Sequence, residues 1–260
     1  MIYLMLSLCL EWYLIQGVLY NIIPKIIHQS FYTKSLPIVL KDNIDKIQRL
    51  NPLWKYILYD DDDQIEFIKE YYGDDILSYY LKINPLYGAA RADLFRYLLI
   101  YEMGGVWLDM KGSIDRSLDS VLHSDDEIIL SQWKNGVDKK CEGFGLHKEL
   151  KHIDGGEFQQ WCIISCKKNP FIHAVILKVL DNITKYSPKV FGVGRLGVLR
   201  TTGPIAYTLS IFPLLDLYSH RMVNVGDAFG FKYSIYNKFA GHYELYNNHY
   251  SSLRCPVIVE

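Results

Sequence analysis

The sequence predicts an α/β fold around a mostly parallel sheet. Short β-rich runs alternate with segments of helical apolar spacing, turn-forming residues separate them, and no repeat or low-complexity linker interrupts the chain. Such alternation is typical of sheets whose neighbouring strands are connected by helices. An apolar extension at residues 1–21 is expected to precede a single domain that spans residues 22–260.

The first predicted helix lies between the first two predicted strands along the sequence. Ile23–Gln29, a β-rich run opened by a proline, is predicted as the first strand. Apolar residues at helical spacing predict a helix over residues 41–51, which Pro52 ends because it disfavours a helical conformation in the residue before it. Trp54–Tyr59 is predicted as the second strand, again from its aromatic and β-branched residues.

Two more helices follow the second strand. The next helix is expected to begin at Asp63 as its cap, with Glu66 three residues later, and to end at Gly73. The clearest helix of the chain lies within residues 86–105, where apolar residues share one face and Gly104 supplies the terminator.

The remaining elements are shorter. Residues 106–109 are predicted as the tip of a strand and residues 127–133 as another strand. A helix is expected from Pro170 to about Ile183, and a turn followed by a helix over residues 201–212. Strands and loops are expected in residues 221–225 and in the tyrosine-rich tail.

Several polar residues fall at the predicted ends of strands. His28 and Gln29 end the first strand, Asp60 follows the second, and Asp109 lies at the tip of the strand after the glycine pair. Ligands of open α/β sheets bind at the carboxyl ends of strands. These residues are therefore candidates for a ligand site.

Asp93 and Arg96 add a charged pair to this region. They are three residues apart, so they share one face of the clearest helix, which is otherwise strongly apolar. That helix leads directly to Gly104 and Gly105 and then to Asp109. An ordinary surface ion pair would be one explanation, but a charged pair on an apolar helix favours a cleft or a buried partner. We expect the three charged groups to converge.

Composition excludes several classes of protein. The chain has 260 residues, of which 50% are hydrophobic, and a net charge of −1. This is a globular composition without the basic balance of a nucleic-acid-binding protein. Residues 1–21 are interrupted by Glu11 and lack a basic leading region, so they indicate peripheral membrane contact or packing on the domain rather than a membrane span.

In their order along the chain, these segments resemble the glycosyltransferases of family 32, which contain a DXD sugar-binding region and have a GT-A fold. The resemblance is carried by "IPKIIHQSF", "NPLWKYILYDDDD", "AARADLFRYLLIYEMGGVWLDMK", "IISCKKNPF" and "TTGPIAYT". It is greatest to the branch found in capsular-polysaccharide and viral members and extends to fungal Golgi mannosyltransferases. The resemblance therefore implies a GT-A-like fold, with a Rossmann-like, mostly parallel sheet flanked by helices.

The resemblance also implies roles for individual residues. Asp93 and Arg96 match the residues that hold the donor-sugar hydroxyls, and Asp109 matches the first motif aspartate, near the ribose and the metal-bound diphosphate. With Lys111, these are the candidate catalytic residues. The residues expected to bind the nucleotide-sugar are His28, Gln29, Ser30, Asp93, Arg96, Gly104, Gly105, Asp109, Thr202, Gly203 and Pro204.

Lys111 departs from the family pattern, because the common motif has an aspartate there that binds Mn²⁺ or Mg²⁺. A protonated lysine cannot coordinate a cation, but it can offset phosphate charge. Either Lys111 points away and a divalent cation is held by Asp109 together with Asp115, His242 or His249, or Lys111 partly replaces the cation. Both alternatives follow from the sequence.

The resemblance implies transfer of a hexose from a nucleotide-sugar to a hydroxyl of a glycan or glycolipid, with retention of configuration. One alternative is a catalytically silent homologue that binds a glycan or a partner, which only Lys111 supports. Another is a nucleotide-binding protein in which Asp93, Arg96 and Asp109 share no cleft. A bacterial or viral member would act in the cytoplasm or at a membrane, and a eukaryotic one in the Golgi lumen.

Overall fold

The computed structural model describes residues 22–139, 141–236 and 250–259. The extension expected at residues 1–21 and the candidate metal ligands His242 and His249 lie outside these ranges. The single domain predicted for residues 22–260 stays a prediction. Within the described ranges, no helix combines the length and the apolar character that a membrane span requires.

The central sheet has the strand order β2-β1-β3-β6-β5-β7, and β4 pairs with β8 in a small second sheet, within the described residues. The strands are β1 (Ile26–Ser30), β2 (Lys55–Tyr59), β3 (Gly105–Leu108), β4 (Ser113–Ile114), β5 (Ile128–Leu130), β6 (Cys162–Ser165), β7 (Arg221–Met222) and β8 (Phe231–Lys232).

The sheet is mostly parallel, as predicted. Strand β1 runs parallel to both β2 and β3, and β5 runs parallel to β7. Strand β6 is the exception, because it runs antiparallel to β3 on one side and to β5 on the other. The amino end of β6 therefore lies beside the carboxyl ends of β1, β2, β3, β5 and β7. All these ends share one edge, which we call the carboxyl edge.

Strand β6 was not predicted from the sequence, which indicated only the helix that begins at Pro170. All four of its residues are buried. A fully buried strand lacks the alternation of polar and apolar residues that marks a half-exposed one, so periodicity cannot distinguish it from a buried helical segment. Its position matters for the site, because the Trp161 carbonyl before it accepts a hydrogen bond from the Asp109 amide at 2.8 Å.

Helices cover both faces of the sheet. They are α1 (Ile38–Leu50), α2 (Asp61–Lys82), α3 (Gly88–Met103), α4 (Pro170–Thr184), α5 (Pro188–Phe191), α6 (Gly194–Thr201), α7 (Pro204–Ile211) and α8 (Val225–Phe229). The main core contains α2, α3, α4 and Trp107 of β3, whereas Val106 and Leu108 belong to the core on the other face, with residues of α1 and α8. Successive side chains of β3 thus point to opposite layers.

Helix α3 is buried on every side rather than along one face. Each residue from Asp93 to Ile100 is buried, including Arg96. A helix that is enclosed in this way crosses the centre of its domain instead of lying on the surface. Its terminator is Gly104, as predicted, with φ 62°. The charged pair is therefore inside the protein, close to the residue that follows the end of β3, Asp109.

Helix α2 differs from the prediction at both ends. Its cap is Asp60, not Asp63; the Asp60 side chain accepts a bond from the Asp63 amide, and the Asp63 side chain accepts one from the Asp60 amide. Gly73 does not end the helix but makes a kink, with φ 71°, after which a second helical segment runs to Lys82. Four consecutive aspartates offer several equivalent caps, so sequence alone could not select between them.

Candidate functional site

Arg96 joins the two candidate carboxylates. Its Nη2 lies 3.0 Å from Asp93 Oδ1, and its Nη1 lies 3.0 Å from Asp109 Oδ1. Nη1 also donates to the Gln160 carbonyl at 2.8 Å, and the guanidinium carbon lies 5.2 Å from the centre of the Trp107 ring. The expected convergence of Asp93, Arg96 and Asp109 is thus present.

Asp93 is the buried member of this cluster, with 4% of its side chain exposed. Its Oδ2 accepts a hydrogen bond from the Thr202 hydroxyl at 2.8 Å, and its Oδ1 accepts one from the Gln160 amide at 3.2 Å. Burial raises the pKa of Asp93 to about 6, although the charge of Arg96 and the bond from Thr202 act in the opposite direction. Asp93 therefore changes protonation close to neutral pH.

This raised pKa predicts a pH-dependent stability difference between the wild type and Asp93→Asn. Between about pH 4 and pH 6 the folded state keeps a proton on Asp93 that the unfolded state has lost, so this carboxyl destabilises the fold progressively as pH rises. Measured by urea denaturation, the free energy of unfolding of the wild type should fall relative to that of Asp93→Asn across this window.

Asp115→Asn supplies a control of opposite sign. Although burial opposes it, hydrogen bonds from Lys232 and Lys46 hold the pKa of Asp115 below its usual range. This carboxylate contributes stability that is lost as pH falls, so the wild type should gain relative to Asp115→Asn as pH rises. A wild type that gains equally relative to Asp93→Asn would contradict the assigned pKa shift of Asp93.

Asp109 is the exposed member of the cluster, with 24% of its side chain accessible. Its Oδ1 receives bonds from Arg96 and, at 3.2 Å, from the Trp107 indole. Within the described residues, Oδ2 carries no hydrogen bond. The carboxylate thus presents one oxygen at the carboxyl edge, while its other oxygen is fixed by two donors.

The glycine pair serves the fold at this point. A side chain at Gly104, where φ is 62°, would place Cβ 2.7 Å from Pro24, and one at Gly105, where φ is 97°, would place it 2.5 Å from the Ile26 carbonyl. Both glycines are buried. They allow α3 to turn directly into β3 against β1, which places Arg96 beside Asp109. Their predicted contact with a nucleotide stays a prediction.

The segment predicted to meet the nucleotide is mostly enclosed. His28 is fully buried; its Nδ1 lies 3.1 Å from the Tyr59 hydroxyl and its Nε2 lies 3.0 Å from the Gly104 carbonyl. Burial lowers the pKa of His28 to about 4, so the ring is neutral at physiological pH. Of the predicted segment, only Ser30 is partly exposed and could meet a nucleotide directly.

Gln29 holds the backbone of Asp109 in place. Its amide Nε2 donates to the Asp109 carbonyl at 3.1 Å, and its Oε1 accepts a bond from the Tyr56 hydroxyl at 2.9 Å. The side chain is fully buried. His28 and Gln29 therefore hold the ends of β1 and β3 in place, which corrects the expectation that their side chains lie beside the base and ribose.

The turn before α7 belongs to the same cluster. Thr202 donates to Asp93, and its carbonyl accepts a bond from the Tyr97 hydroxyl at 2.9 Å. Gly203 caps α7 and Pro204 is its first residue. Thr202 is fully buried, whereas Pro204 is partly exposed. Thr202 thus orients Asp93, and Pro204 is the member of this turn that a ligand could touch.

Lys111 and Asp115 both have partners away from Asp109. The Lys111 ammonium lies 2.9 Å from the Tyr233 hydroxyl and 4.1 Å from the centre of its ring. Asp115 pairs with Lys46 at 2.5 Å and with Lys232 at 2.6 Å. The expectation that Asp115 joins Asp109 around a cation is therefore wrong, because two lysines already neutralise it.

The described residues fit a divalent cation only in part. No group of three or more histidine, cysteine, aspartate or glutamate side chains among them is arranged to hold a metal. Mg²⁺ is, however, commonly held by one or two carboxylates together with substrate phosphates and water. The free Oδ2 of Asp109 fits this role, so the site suits a cation shared with a diphosphate rather than one enclosed by protein.

Gln160 is the main residue that sequence reasoning missed. Its side chain contacts both Asp93 and the Tyr97 hydroxyl, and its backbone carbonyl accepts a hydrogen bond from Arg96. Because it precedes the unpredicted strand β6, nothing in the sequence placed it at the carboxyl edge. Trp107 was also missed; its position two residues before Asp109 in an alternating strand was the available signal.

Residues 37–128 match the model of a family described as the glycosyltransferase sugar-binding region containing DXD motif. Mannosyl phosphorylinositol ceramide synthase SUR1 of Saccharomyces cerevisiae is 29% identical over 216 residues, which cover 80% of this chain and 53% of SUR1. Inositol phosphoceramide mannosyltransferase 3 of Schizosaccharomyces pombe is 35% identical over 101 residues, 39% of this chain and 28% of that protein. The chain thus spans about half or less of the length of these relatives.

The fold has a counterpart among solved structures. The UDP-bound glycosyltransferase domain of the YGT toxin superposes with a TM-score of 0.51 at 10% sequence identity, covering 85% of this chain and 82% of that one. At this identity the likeness concerns the fold, which is GT-A-like. The matched sugar-binding region and the mannosyltransferase relatives make the chain similar to the family 32 glycosyltransferases, whose sugar-binding region contains the DXD motif.

Proposed function

We propose that this protein transfers a hexose from a nucleotide-sugar to a hydroxyl group of a glycan or glycolipid, with retention of anomeric configuration. The observation that supports this most directly is the bridge that Arg96 makes, at 3.0 Å on each side, between Asp93 and Asp109. This bridge lies at the carboxyl edge, where α/β sheets bind their ligands.

Donor binding would use the two carboxylates differently. Asp109 offers its free oxygen to the ribose and, through a cation, to the diphosphate. Asp93 is enclosed, but its Oδ1 is covered by the amide of Gln160, a residue that is itself partly exposed. Displacement of that amide would give a sugar hydroxyl access to a carboxylate already braced by a guanidinium. Arg96 orients both carboxylates.

The departing diphosphate needs positive charge. A bound Mn²⁺ or Mg²⁺ would supply it by coordinating phosphate oxygens. Lys111 would supply a further charge from the ammonium group that Tyr233 now holds. Because a lysine carries its charge on a flexible stem, it can leave the tyrosine for a phosphate without disturbing the backbone.

Retention is consistent with attack on the same face of the sugar. Both carboxylates of the site are paired with Arg96, which weakens each as a covalent nucleophile. We therefore propose that the acceptor hydroxyl attacks as the diphosphate leaves, and that a phosphate oxygen of the leaving group takes its proton. The C–O bond to the acceptor forms as the C–O bond to phosphate breaks, so charge and atoms balance.

The acceptor is proposed from the relatives. Two of them are named for transfer of mannose to inositol phosphoceramide or for its product. A glycolipid headgroup or a glycan of similar chemistry is the acceptor class that follows. This is a proposal because the chain covers only part of each relative's length.

A screen of UDP- and GDP-sugars tests the function. Release of nucleoside diphosphate without acceptor should occur with at least one donor, and should change when EDTA or Mn²⁺ is added. If no donor is hydrolysed under either condition while the protein is folded, the transferase proposal fails. A silent glycan-binding homologue, suggested by Lys111, would then be the better description.

Lys111→Asp should increase the dependence of donor hydrolysis on Mn²⁺. The new carboxylate restores a second ligand and removes a charge that offsets the diphosphate, so activity in EDTA should fall by about tenfold or more while added Mn²⁺ restores it. The measurement is a titration of hydrolysis rate against Mn²⁺ concentration.

Lys82→Asp provides the matched control. Lys82 also lies against a tyrosine, with its ammonium 5.6 Å from the centre of the Tyr79 ring, and the charge change is identical. It ends α2, away from Asp109. The two variants should differ in their Mn²⁺ titrations; superimposable curves would exclude a role for Lys111 in charge compensation.

A further inference from the structure

A second recess opens at the carboxyl edge, beyond the donor cluster. It is a shallow, open depression of about 310 Å³ between the ends of β5 and β7, which we call the cavity. Its lining consists of Gln132, Trp133, Lys134, Met222, Val223 and Asn224. This volume lies at the small end of the range for ligand pockets and suits a single ring rather than a nucleotide.

A stacked pair of tryptophans, Trp133 and Trp161, lies between the cavity and the backbone of Asp109, and we call this pair the aromatic stack. Trp161, whose carbonyl receives the Asp109 amide, lies 6.5 Å from Trp133 in a stacked arrangement with an interplanar angle of 22°. Tyr233 packs edge-on against Trp133 at 5.2 Å and also contacts the Lys111 ammonium. The wall of the cavity is thus continuous with the groups proposed to stabilise the departing diphosphate.

Trp133 is held in one orientation. Its indole nitrogen donates to Glu157 Oε1 at 2.7 Å, and the other oxygen of Glu157 lies 2.7 Å from His147 Nε2. A side chain at Gly145, where φ is 71°, would place Cβ 2.5 Å from Glu157 and 2.8 Å from Trp133. The loop between β5 and β6 is therefore closely packed around this contact, which gives the cavity a preformed aromatic wall.

Polar groups complete the lining. Asn224 uses one amide hydrogen on the Gln132 carbonyl, at 3.3 Å, and its amide group has a second. Gln132 donates to the carbonyls of Asp154 and Gly156, which leaves its own side-chain oxygen as an acceptor. An aromatic face beside amide groups suits a ring that has C–H bonds on its faces and hydroxyl groups at its rim.

We propose that this cavity is an acceptor subsite that binds a six-membered polyhydroxylated ring, either a hexose or an inositol. The inference rests on the proposed transferase function and names where its second substrate lies. Trp133 packs against the ring, Asn224 and Gln132 hydrogen-bond to its hydroxyls, and the ring's reacting hydroxyl faces the Asp109 side of the aromatic stack.

Met222→Trp tests the subsite by filling it. Met222 is 43% exposed on β7, so the larger side chain can enter the cavity without entering the core. With a donor that the wild type hydrolyses, the ratio of transfer to hydrolysis should fall by about tenfold or more. Leu217→Trp is the control, because Leu217 is 67% exposed and does not line the cavity. A wild-type ratio in Met222→Trp would overturn the proposal.

Binding without turnover separates the subsite from the reaction. Calorimetry should show that methyl α-D-mannopyranoside or myo-inositol phosphate binds to the wild type and to Leu217→Trp but not to Met222→Trp, and the ring that binds identifies the source of the acceptor. If neither ring binds to the wild type, or Met222→Trp binds equally, the subsite is wrong. If the ring binds to the wild type but not to Met222→Trp, and no donor is hydrolysed, the subsite is supported and the transferase function is contradicted.

Discussion

Arg96→Met should lower the free energy of unfolding by about 3–5 kcal/mol at neutral pH, because it leaves buried carboxylate charge without a partner. Arg96 is bonded to Asp93, Asp109 and the Gln160 carbonyl, and only 6% of its side chain is exposed. Methionine keeps much of the volume but none of the donors. Urea denaturation monitored by circular dichroism measures the loss.

The loss should depend on pH and on Asp93. Burial raises the pKa of Asp93 to about 6 even with Arg96 present, so at about pH 4 Asp93 is largely protonated and needs its partner less. Arg96→Met should therefore cost less at about pH 4 than at neutral pH. Adding Asp93→Asn to Arg96→Met should recover part of the stability, since it removes the stranded charge.

Arg91→Met is the matched control on the same helix. Arg91 donates a single hydrogen bond, from Nε to the Ile83 carbonyl at 3.0 Å, and packs over the Tyr80 ring at 5.3 Å. It has no carboxylate within salt-bridge distance among the described residues, so its replacement should cost about 1 kcal/mol. Equal losses in the two variants would mean that Arg96 contributes packing rather than charge compensation.

The sequence predicted the charged cluster because spacing and chain direction are local properties. A separation of three residues places Asp93 and Arg96 on one face of any helix, and Gly104 and Gly105 determine where the chain leaves it. The strand after the glycines then had to bring Asp109 back beside the middle of that helix, where Arg96 lies. Each step involves neighbours in sequence, for which pattern is informative.

The rest of the site depends on contacts between distant segments. Gln160 reaches Asp93 across 67 positions, and Thr202 reaches it across 109. The position of Gln160 depends on β6 running antiparallel between β3 and β5, a pairing that no local pattern indicates. The sequence also could not predict the burial of His28, because a histidine at the end of a strand can face either the ligand or the core.

Asp109→Asn should reduce donor hydrolysis by at least about 100-fold while the free energy of unfolding changes by about 1 kcal/mol or less. The amide keeps the shape of the carboxylate, so the Trp107 indole retains an acceptor. It loses the charge that a cation or a ribose hydroxyl would meet at the free oxygen. Because 24% of the side chain is exposed, solvent limits the effect on folding.

Asp119→Asn distinguishes this functional loss from the loss of an ordinary ion pair. Asp119 has nearly the same set of partners as Asp109: it accepts the Trp54 indole at 3.0 Å and pairs with Lys25 at 2.8 Å, and 36% of its side chain is exposed. It lies far from Arg96, so Asp119→Asn should hydrolyse the donor at the wild-type rate. If Asp109→Asn and Asp119→Asn slow hydrolysis equally, or if neither slows it, the donor does not bind at the free oxygen of Asp109. The carboxyl edge near β3 would then not be the active site.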